Sequence, residues 1–228
     1  LKIMHEIFNS EHAFVIYDID MSTGDYMVIL SNDVYGKRPL FTRQDENGFY
    51  FSSEIQGLPF LKSLDGQVNR FPPRHYGIIK KTAGQLSKMY YYKYYEVDSS
   101  KVIGTKLYTD VEEAKMIIRQ TLIKAVIDRL DSDREIGFLL SGGFDSSIIV
   151  GIAAEYMKKI GKKIRTFSIG MAGGTDEKYA IMVSEFCDTV HTHITVTKEE
   201  FLQVIPDVIR TIGSFDITTI RASCGQYC

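Results

Sequence analysis

Two hydrophobic rhythms divide this chain. From Ala13 to about Tyr95 the apolar residues come in short β-prone runs: Ala13-Phe14-Val15-Ile16-Tyr17, Tyr26-Met27-Val28-Ile29-Leu30, Pro39-Leu40-Phe41, Phe49-Tyr50-Phe51, Tyr76-Gly77-Ile78-Ile79 and the tyrosine cluster Tyr90 to Tyr95. Turn-formers separate them, among them Ser22-Thr23-Gly24-Asp25, Ala83-Gly84, and Asn47-Gly48, where both residues tolerate positive φ. No long helical pattern precedes Asp110. From there the period changes: Val111, Ala114, Ile118, Leu122 and Ala125 recur at helical spacing, with Asp110 and Glu113 as a capping-box-like start. Short apolar strands and helical faces then alternate. Ile136 to Leu140 is a continuous apolar run of the kind found in a strand buried on both faces. Ile149, Ile152, Ala153 and Tyr156 mark a helix, Ile164 to Ile169 a strand, Tyr179, Val183 and Phe186 a helix, and His191 to Val196 a third strand. Thr197 and Glu200 form a capping box before the stripe Phe201, Val204, Ile205, Val208, Ile209, which Pro206 should kink or break. The order βαβαβα predicts a parallel sheet with right-handed crossovers, hence a doubly wound α/β domain. The expected division is a β-rich region over 1–96, a linker over 97–109 that holds the Ser99-Ser100 pair, and the α/β region over 110–228.

Composition narrows the classes. Residues number 228, of which 44% are hydrophobic and 25% charged, enough apolar side chains for a real core. With 27 Lys and Arg against 29 Asp and Glu, no basic field points to nucleic acid. No apolar run reaches the ~20 residues of a membrane span. Cys187, Cys224 and Cys228 are odd in number and lack zinc-site spacing, which favours a reducing, cytoplasmic compartment. The chain starts at Leu1 and stops at Cys228 just after a patterned stretch, so a piece of a longer protein is expected.

One segment carries chemistry: Leu139-Leu140-Ser141-Gly142-Gly143-Phe144-Asp145-Ser146-Ser147, where the first parallel strand gives way to a helix. That position faces the ligand crevice of an open α/β sheet. A helix start leaves N–H groups unpaired, equivalent to about +0.5 charge, and thus suits an anion. Gly142 and Gly143 let the backbone approach phosphate oxygens, and Ser141, Ser146 and Ser147 add hydroxyls. Asp145 would repel a bare phosphate but suits Mg²⁺, a hard cation commonly held by one or two carboxylates plus phosphate oxygens. The loop therefore reads as a binder of magnesium-complexed polyphosphate. The Gly-Lys-Ser/Thr element of a Walker loop is absent. A bare strand–helix turn with Asp and Ser as caps is the plainer alternative.

Ser141-Gly142-Gly143-Phe144-Asp145-Ser146-Ser147 resembles the pyrophosphate loop, Ser-Gly-Gly-X-Asp-Ser-Ser, of the ATP pyrophosphatase enzymes, which activate a carboxyl or carbonyl group by adenylation. Within that group the chain resembles the glutamine-hydrolysing asparagine synthetase family. Gly36-Lys37-Arg38-Pro39-Leu40-Phe41, Phe51-Ser52-Ser53-Glu54-Ile55, Phe167-Ser168-Ile169-Gly170 and Asp216-Ile217-Thr218-Thr219-Ile220-Arg221-Ala222-Ser223 carry the likeness. The resemblance implies that 1–96 is the C-terminal, β-rich part of a type 2 glutamine amidotransferase domain, an N-terminal nucleophile (αββα) fold. It implies that 110–228 is the N-terminal part of the synthetase domain, a doubly wound adenine-nucleotide alpha-hydrolase-like fold. It also implies ATP and Mg²⁺, small-molecule substrates (aspartate, ATP, and glutamine or free ammonia), no nucleic acid or membrane, and an assembly state in which a homodimer stays open.

By position, Leu139 and Ile169 match residues that contact adenine through backbone groups; Ser141, Gly142, Gly143, Asp145, Ser146 and Ser147 match the pyrophosphate site, with Asp145 as metal ligand. Thr218, Thr219 and Arg221 match residues that shape the site where aspartyl-adenylate meets ammonia, and an arginine fork with threonine hydroxyls suits that chemistry. The chain departs from the family in three places. The family's glutaminase nucleophile is a first-residue cysteine, whereas Leu1 stands here; the Ser-Gly-Glu-Gly-type loop would follow Cys228; and Asn32-Asp33 stands where the family usually has Arg-Asp. The 228 residues alone are expected to be inactive. Two alternatives stay open. A related adenylating ligase such as a β-lactam synthetase is one, against which Thr218-Thr219-Ile220-Arg221 argues; a non-catalytic nucleotide-binding remnant is the other.

Other residues read more plainly. His191 and His193 share a strand face but lack a third ligand, so they should pack or cap the sheet end. The tyrosines of 90–95 suit a domain interface rather than base stacking. Asp176 is either a family aspartate or a helix-start charge. Lys158, Lys159, Lys162 and Lys163 suit a solvated helix end, and Cys224 and Cys228 should pack rather than react.

Overall fold

The computed structural model describes residues 8, 10–45, 48–58, 68–96, 110–214 and 216–228. The Glu46-Asn47 part of the expected hairpin turn and the expected linker 97–109 lie outside those residues. The chain divides into two compact units, Leu1–Thr105 and Lys106–Cys228.

The first unit is antiparallel. Strands β1 (Ala13–Ile19), β2 (Tyr26–Asn32), β6 (His75–Thr82) and β7 (Gln85–Leu86) lie in that order, and β8 (Tyr90–Lys93) also pairs with β6. A smaller sheet runs β4 (Gly48–Ser52), β3 (Phe41–Asp45), β5 (Asn69–Arg70). Ile29 of β2 sits between Ile16 and Ile78, a central strand flanked on both edges, which is why Val28 to Asn32 is buried without a polar gap. Val28, Leu30, Leu40, Phe71 and Ile79 form the core. A Cβ on Gly77 would come within 3.0 Å of the Phe71 ring, so the glycine is what lets that ring lie against the sheet. The tyrosine strand is shorter than its apolar run suggests. It ends at Lys93, with Tyr92 stacked on Tyr76 and Tyr91 against Phe71.

The second unit begins with α1 (Val111–Ile127), capped by Asp110, whose carboxylate accepts the Glu112 N–H at 2.8 Å. Strands β9 (Gly137–Leu139), β10 (Arg165–Gly170) and β11 (Val190–Thr195) form a parallel sheet in the order β11-β10-β9. Crossovers α2 (Phe144–Lys159) and α3 (Thr175–Phe186) join them, and α4 (Lys198–Gln203), α5 (Ile205–Ile212) and α6 (Ile217–Tyr227) follow. Val126, Leu140, Val150, Ala153, Ile164 and Ala180 pack α1, α2 and α3 into one core. Side chains alternate along a strand. Accordingly Thr166 of β10 joins a hydrogen-bond chain that reaches Ser184 of α3, while Ile169 meets Gly225 of α6 on the opposite face. The run at 136–140 is thus not buried on both faces: Leu140 is buried, but Leu139 is 62% exposed, because α6 leaves a cleft beside it. Pro206 does break the helical stripe. It sits in the first turn of α5, where its missing N–H leaves no bond unmade. The Thr197–Glu200 capping box is present in full. Among the described residues no helix is long and apolar enough to cross a membrane.

Candidate functional site

At the carboxyl end of β9 the Leu140 N–H donates to the Phe167 carbonyl at 2.7 Å, and the chain then leaves the sheet. Gly142 turns it. Its φ is +77°, and a Cβ there would lie 2.5 Å from the Ala180 nitrogen and 2.6 Å from the Tyr179 carbonyl carbon. Backbone cannot yield as a flexible side chain can, so only glycine lets the loop seat against α3. Gly143 is the N-cap of α2 and supplies no side-chain acceptor, leaving the first-turn N–H groups without a side-chain cap.

The hydroxyls hold the turn's shape. Ser147 Oγ donates to the Gly143 carbonyl at 2.7 Å and Ser146 Oγ to the same oxygen at 3.2 Å. Ser141 and Ser146 share a bond of 3.1 Å, and Ser141 Oγ accepts the Gly143 N–H at 3.3 Å. Asp145 is exposed in the first turn of α2. Among the described residues no three His, Cys, Asp or Glu side chains gather as a metal cage. One open carboxylate beside a glycine-rich helix start would fit Mg²⁺ brought in on phosphate oxygens rather than a permanently ligated ion.

The cleft beside the loop holds about 400 Å³, within the range of small-ligand pockets. It brings together Leu139, Ser141 and Ile169, which lie far apart in sequence, and α6 closes it with Ala222 and Gly225. A hollow of about 470 Å³ lies at the other edge of the unit, lined by Arg134, Lys162 and Arg165. The carboxyl ends of the strands are where the start of α2 lacks a side-chain cap, and Gly142, Gly143, Asp145, Ser146 and Ser147 stand beside the cleft without lining it.

Thr218, Thr219 and Arg221 are exposed on the first turns of α6 and do not line this cleft. Asp216 caps this helix and engages Thr219, whose N–H and hydroxyl both donate to Asp216 Oδ1, at 2.7 and 2.6 Å. Those bonds hold the Asp216 carboxyl below its ordinary range. The sequence reading missed α6 itself and the cleft residues Ala222 and Gly225. The available signal was Asp216 three residues before Thr219, an N-cap pattern, followed by two small residues three apart.

The two histidines face α3, as a shared strand face implies. His191 bonds Thr166 and Ser168, and His193 bonds Ser168. Asp176 lies in the first turn of α3. Cys224 is buried, Cys228 is exposed, and burial pushes the Cys187 thiol up.

In the first unit Asn32 is buried: its amide donates to the Phe71 carbonyl at 3.3 Å, and its own carbonyl accepts the Tyr94 hydroxyl at 2.7 Å. Burial, together with the Asp33 charge, pushes the Tyr94 hydroxyl up to about 12.

Comparison with known proteins agrees with this geometry. Residues 117–228 match the asparagine synthase family model. The chain is 33% identical over 234 residues to the glutamine-hydrolysing asparagine synthetase of Mus musculus, 34% over 229 residues to that of Gallus gallus, and 34% over 234 residues to that of Homo sapiens. Each match covers 94% of this chain and 40% of the relative, so the chain spans two fifths of the length of these proteins.

Proposed function

We propose, for a chain whose residues 117–228 belong to the asparagine synthase family, that the Ser141–Ser147 loop binds the polyphosphate of ATP within an ATP-dependent amide ligase. The observation that carries this reading is the cleft that joins Leu139, Ser141 and Ile169 beside uncapped N–H groups. In the reaction we assign to the whole protein, the side-chain carboxylate of aspartate attacks the α-phosphorus of ATP. This gives β-aspartyl-AMP and pyrophosphate. Ammonia drawn from glutamine then attacks the activated carbonyl, AMP leaves with the bonding pair, and asparagine forms. Activation is needed because a carboxylate is a poor electrophile at neutral pH.

This chain's residues would act mainly by position and charge. Gly142 would present its backbone N–H, Gly143 would do so on giving up its long bond to Ser141 Oγ, and α2 would direct its positive end at the phosphates. Asp145 would hold Mg²⁺, which when bound neutralises phosphate oxygens. Leu139 and Ile169 offer their strand-end backbone to the adenine. Thr218, Thr219 and Arg221 would meet the adenylate; for Thr219 that requires exchanging its bond to Asp216 for one to substrate. We read 1–96 as part of a glutaminase domain and 110–228 as the first part of a doubly wound synthetase domain in a reducing cytoplasm.

Calorimetric titration with Mg·ATP tests the core of this reading. Saturable binding by the chain is expected, and no heat up to millimolar nucleotide would overturn it. Aspartate-dependent exchange of labelled pyrophosphate into ATP, measured on the full-length parent, tests the substrate. Exchange driven by another acid but not by aspartate would point to a different adenylating ligase.

A further inference from the structure

Beneath α3 runs a line of polar side chains that nucleotide binding by itself does not require. Ser184 of α3 bonds Thr189 at 2.8 Å, and Thr189 bonds Thr166 at 2.7 Å. Thr166 Oγ1 lies 2.9 Å from His191 Nδ1, and His191 Nε2 lies 2.9 Å from Ser168 Oγ. Ser168 Oγ lies 2.7 Å from His193 Nδ1. The far ring nitrogen, His193 Nε2, is buried without a hydrogen-bond partner and faces Glu177 Oε1 at 3.6 Å. Thr166, Ser168 and Ser184 are themselves buried.

Each hydroxyl has one proton, and a neutral imidazole has one donor and one acceptor. A hydroxyl can accept twice but donate only once, so a His193 proton on Nε2 fixes every bond along the line: Ser168 donates to His193 Nδ1, His191 Nε2–H to Ser168, Thr166 to His191 Nδ1, Thr189 to Thr166, and Ser184 to Thr189. With the proton on Nδ1 instead, a bare His193 lone pair would face the Glu177 carboxylate. The negative charge selects the first arrangement. A neutral His191 fits it: burial, then the neighbouring His193, pushes His191 below its ordinary range.

The line grips α3 at both ends, at Glu177 in its first turn and at Ser184 two turns later. Between them lies the Tyr179–Ala180 backbone that seats Gly142, a contact with no slack. We propose that His193, Ser168 and His191 form a one-way hydrogen-bond relay, oriented by the Glu177 charge 3.6 Å from His193 Nε2, that fixes the height of α3 and so positions the phosphate loop. They are positioning residues, and the proposal rests on the nucleotide reading of that loop.

Nitrogen-15 NMR of the whole chain at neutral pH should show both histidines neutral with the proton on Nε2. Ser168→Ala removes the middle link. It should leave His193 a mixture of tautomers and weaken Mg·ATP by about fivefold, while Ser168→Thr restores both. Should Ser168→Ala fold poorly, Glu177→Gln on the half-exposed first turn serves instead, with the same tautomer mixing and Glu177→Asp as the rescue. A wild-type His193 protonated on Nδ1, or a folded Ser168→Ala with unchanged Mg·ATP affinity, overturns the relay alone. Absence of Mg·ATP binding by the wild-type chain overturns the nucleotide reading, and the positioning role with it, whatever the tautomers show.

Discussion

Each unit contains a tight turn after a strand, and the two turns differ in what accepts their backbone N–H groups. In the first unit Asp33 Oδ1 accepts the N–H groups of Tyr35 and Lys37, both at 3.0 Å, and Oδ2 accepts that of Arg38 at 3.1 Å. The carboxylate is buried. Burial alone would raise its pKa, but the N–H groups of Lys37, Arg38 and Tyr35 outweigh it and hold the group below its ordinary range. In the second unit the turn at 141–143 has no internal oxyanion, and its helix start has no side-chain cap. A turn closed by its own carboxylate is structural. One left open is free for water or for an outside anion, which the helix dipole favours.

The comparison breaks most visibly at Asp33. Asp33→Ala removes the shared acceptor of three backbone N–H groups and should cost about 2 kcal/mol in a denaturant melt of the first unit. A loss within error would mean the turn holds itself. The same carboxylate sets a pH limit. Its folded pKa lies below the ordinary 3.8, so its contribution is present above that value and is lost as pH falls through the lower folded one.

Gly142→Ala tests the open turn. The new Cβ meets the α3 backbone, so Mg·ATP affinity should fall by at least ~10-fold in calorimetry. Gly161→Ala is the contrast: its φ is also positive, at +72°, but nothing lies within 4 Å. It should cost only the ~1 kcal/mol of backbone strain and leave nucleotide affinity unchanged. Asp145→Asn should weaken Mg·ATP about tenfold while changing stability by less than ~0.5 kcal/mol, since the side chain is exposed. Equal affinity for Mg·ATP before and after would remove the metal role.

The smallest effect is expected at His191. Its folded pKa is depressed, so the unfolded chain binds its proton first, and stability of the second unit should decline as pH falls below about 6.5. Thermal melts across that range, compared with those of His191→Gln, would show it.

Much of this was legible in residue order. Strand and helix spacing placed every element of the βαβαβ core, the break at Pro206 and the capping box at Thr197, because those depend on local backbone chemistry. The turn at 141–143 was legible because a glycine pair at a strand end has a local conformational meaning. Helix α6 was not, because polar Thr218 and Thr219 beside β-branched Ile217 and Ile220 hide a helical start that Asp216 nonetheless caps. The exposure of Leu139 was not legible either. An apolar run reads the same whether its second face meets a helix or a cleft.

Sequence alone settled which residues have chemistry to offer: the glycines, hydroxyls and carboxylate of 141–147, and the two histidines on one strand face. Local spacing specifies backbone period and side-chain parity, and those are properties of neighbours along the chain. Only the tertiary structure decided which of them meet. It set Gly142 against Tyr179 and Ala180, joined Leu139 to Ile169 across the sheet, and aimed His193 at Glu177. Such contacts depend on how far apart packed elements lie, a distance set by the whole core.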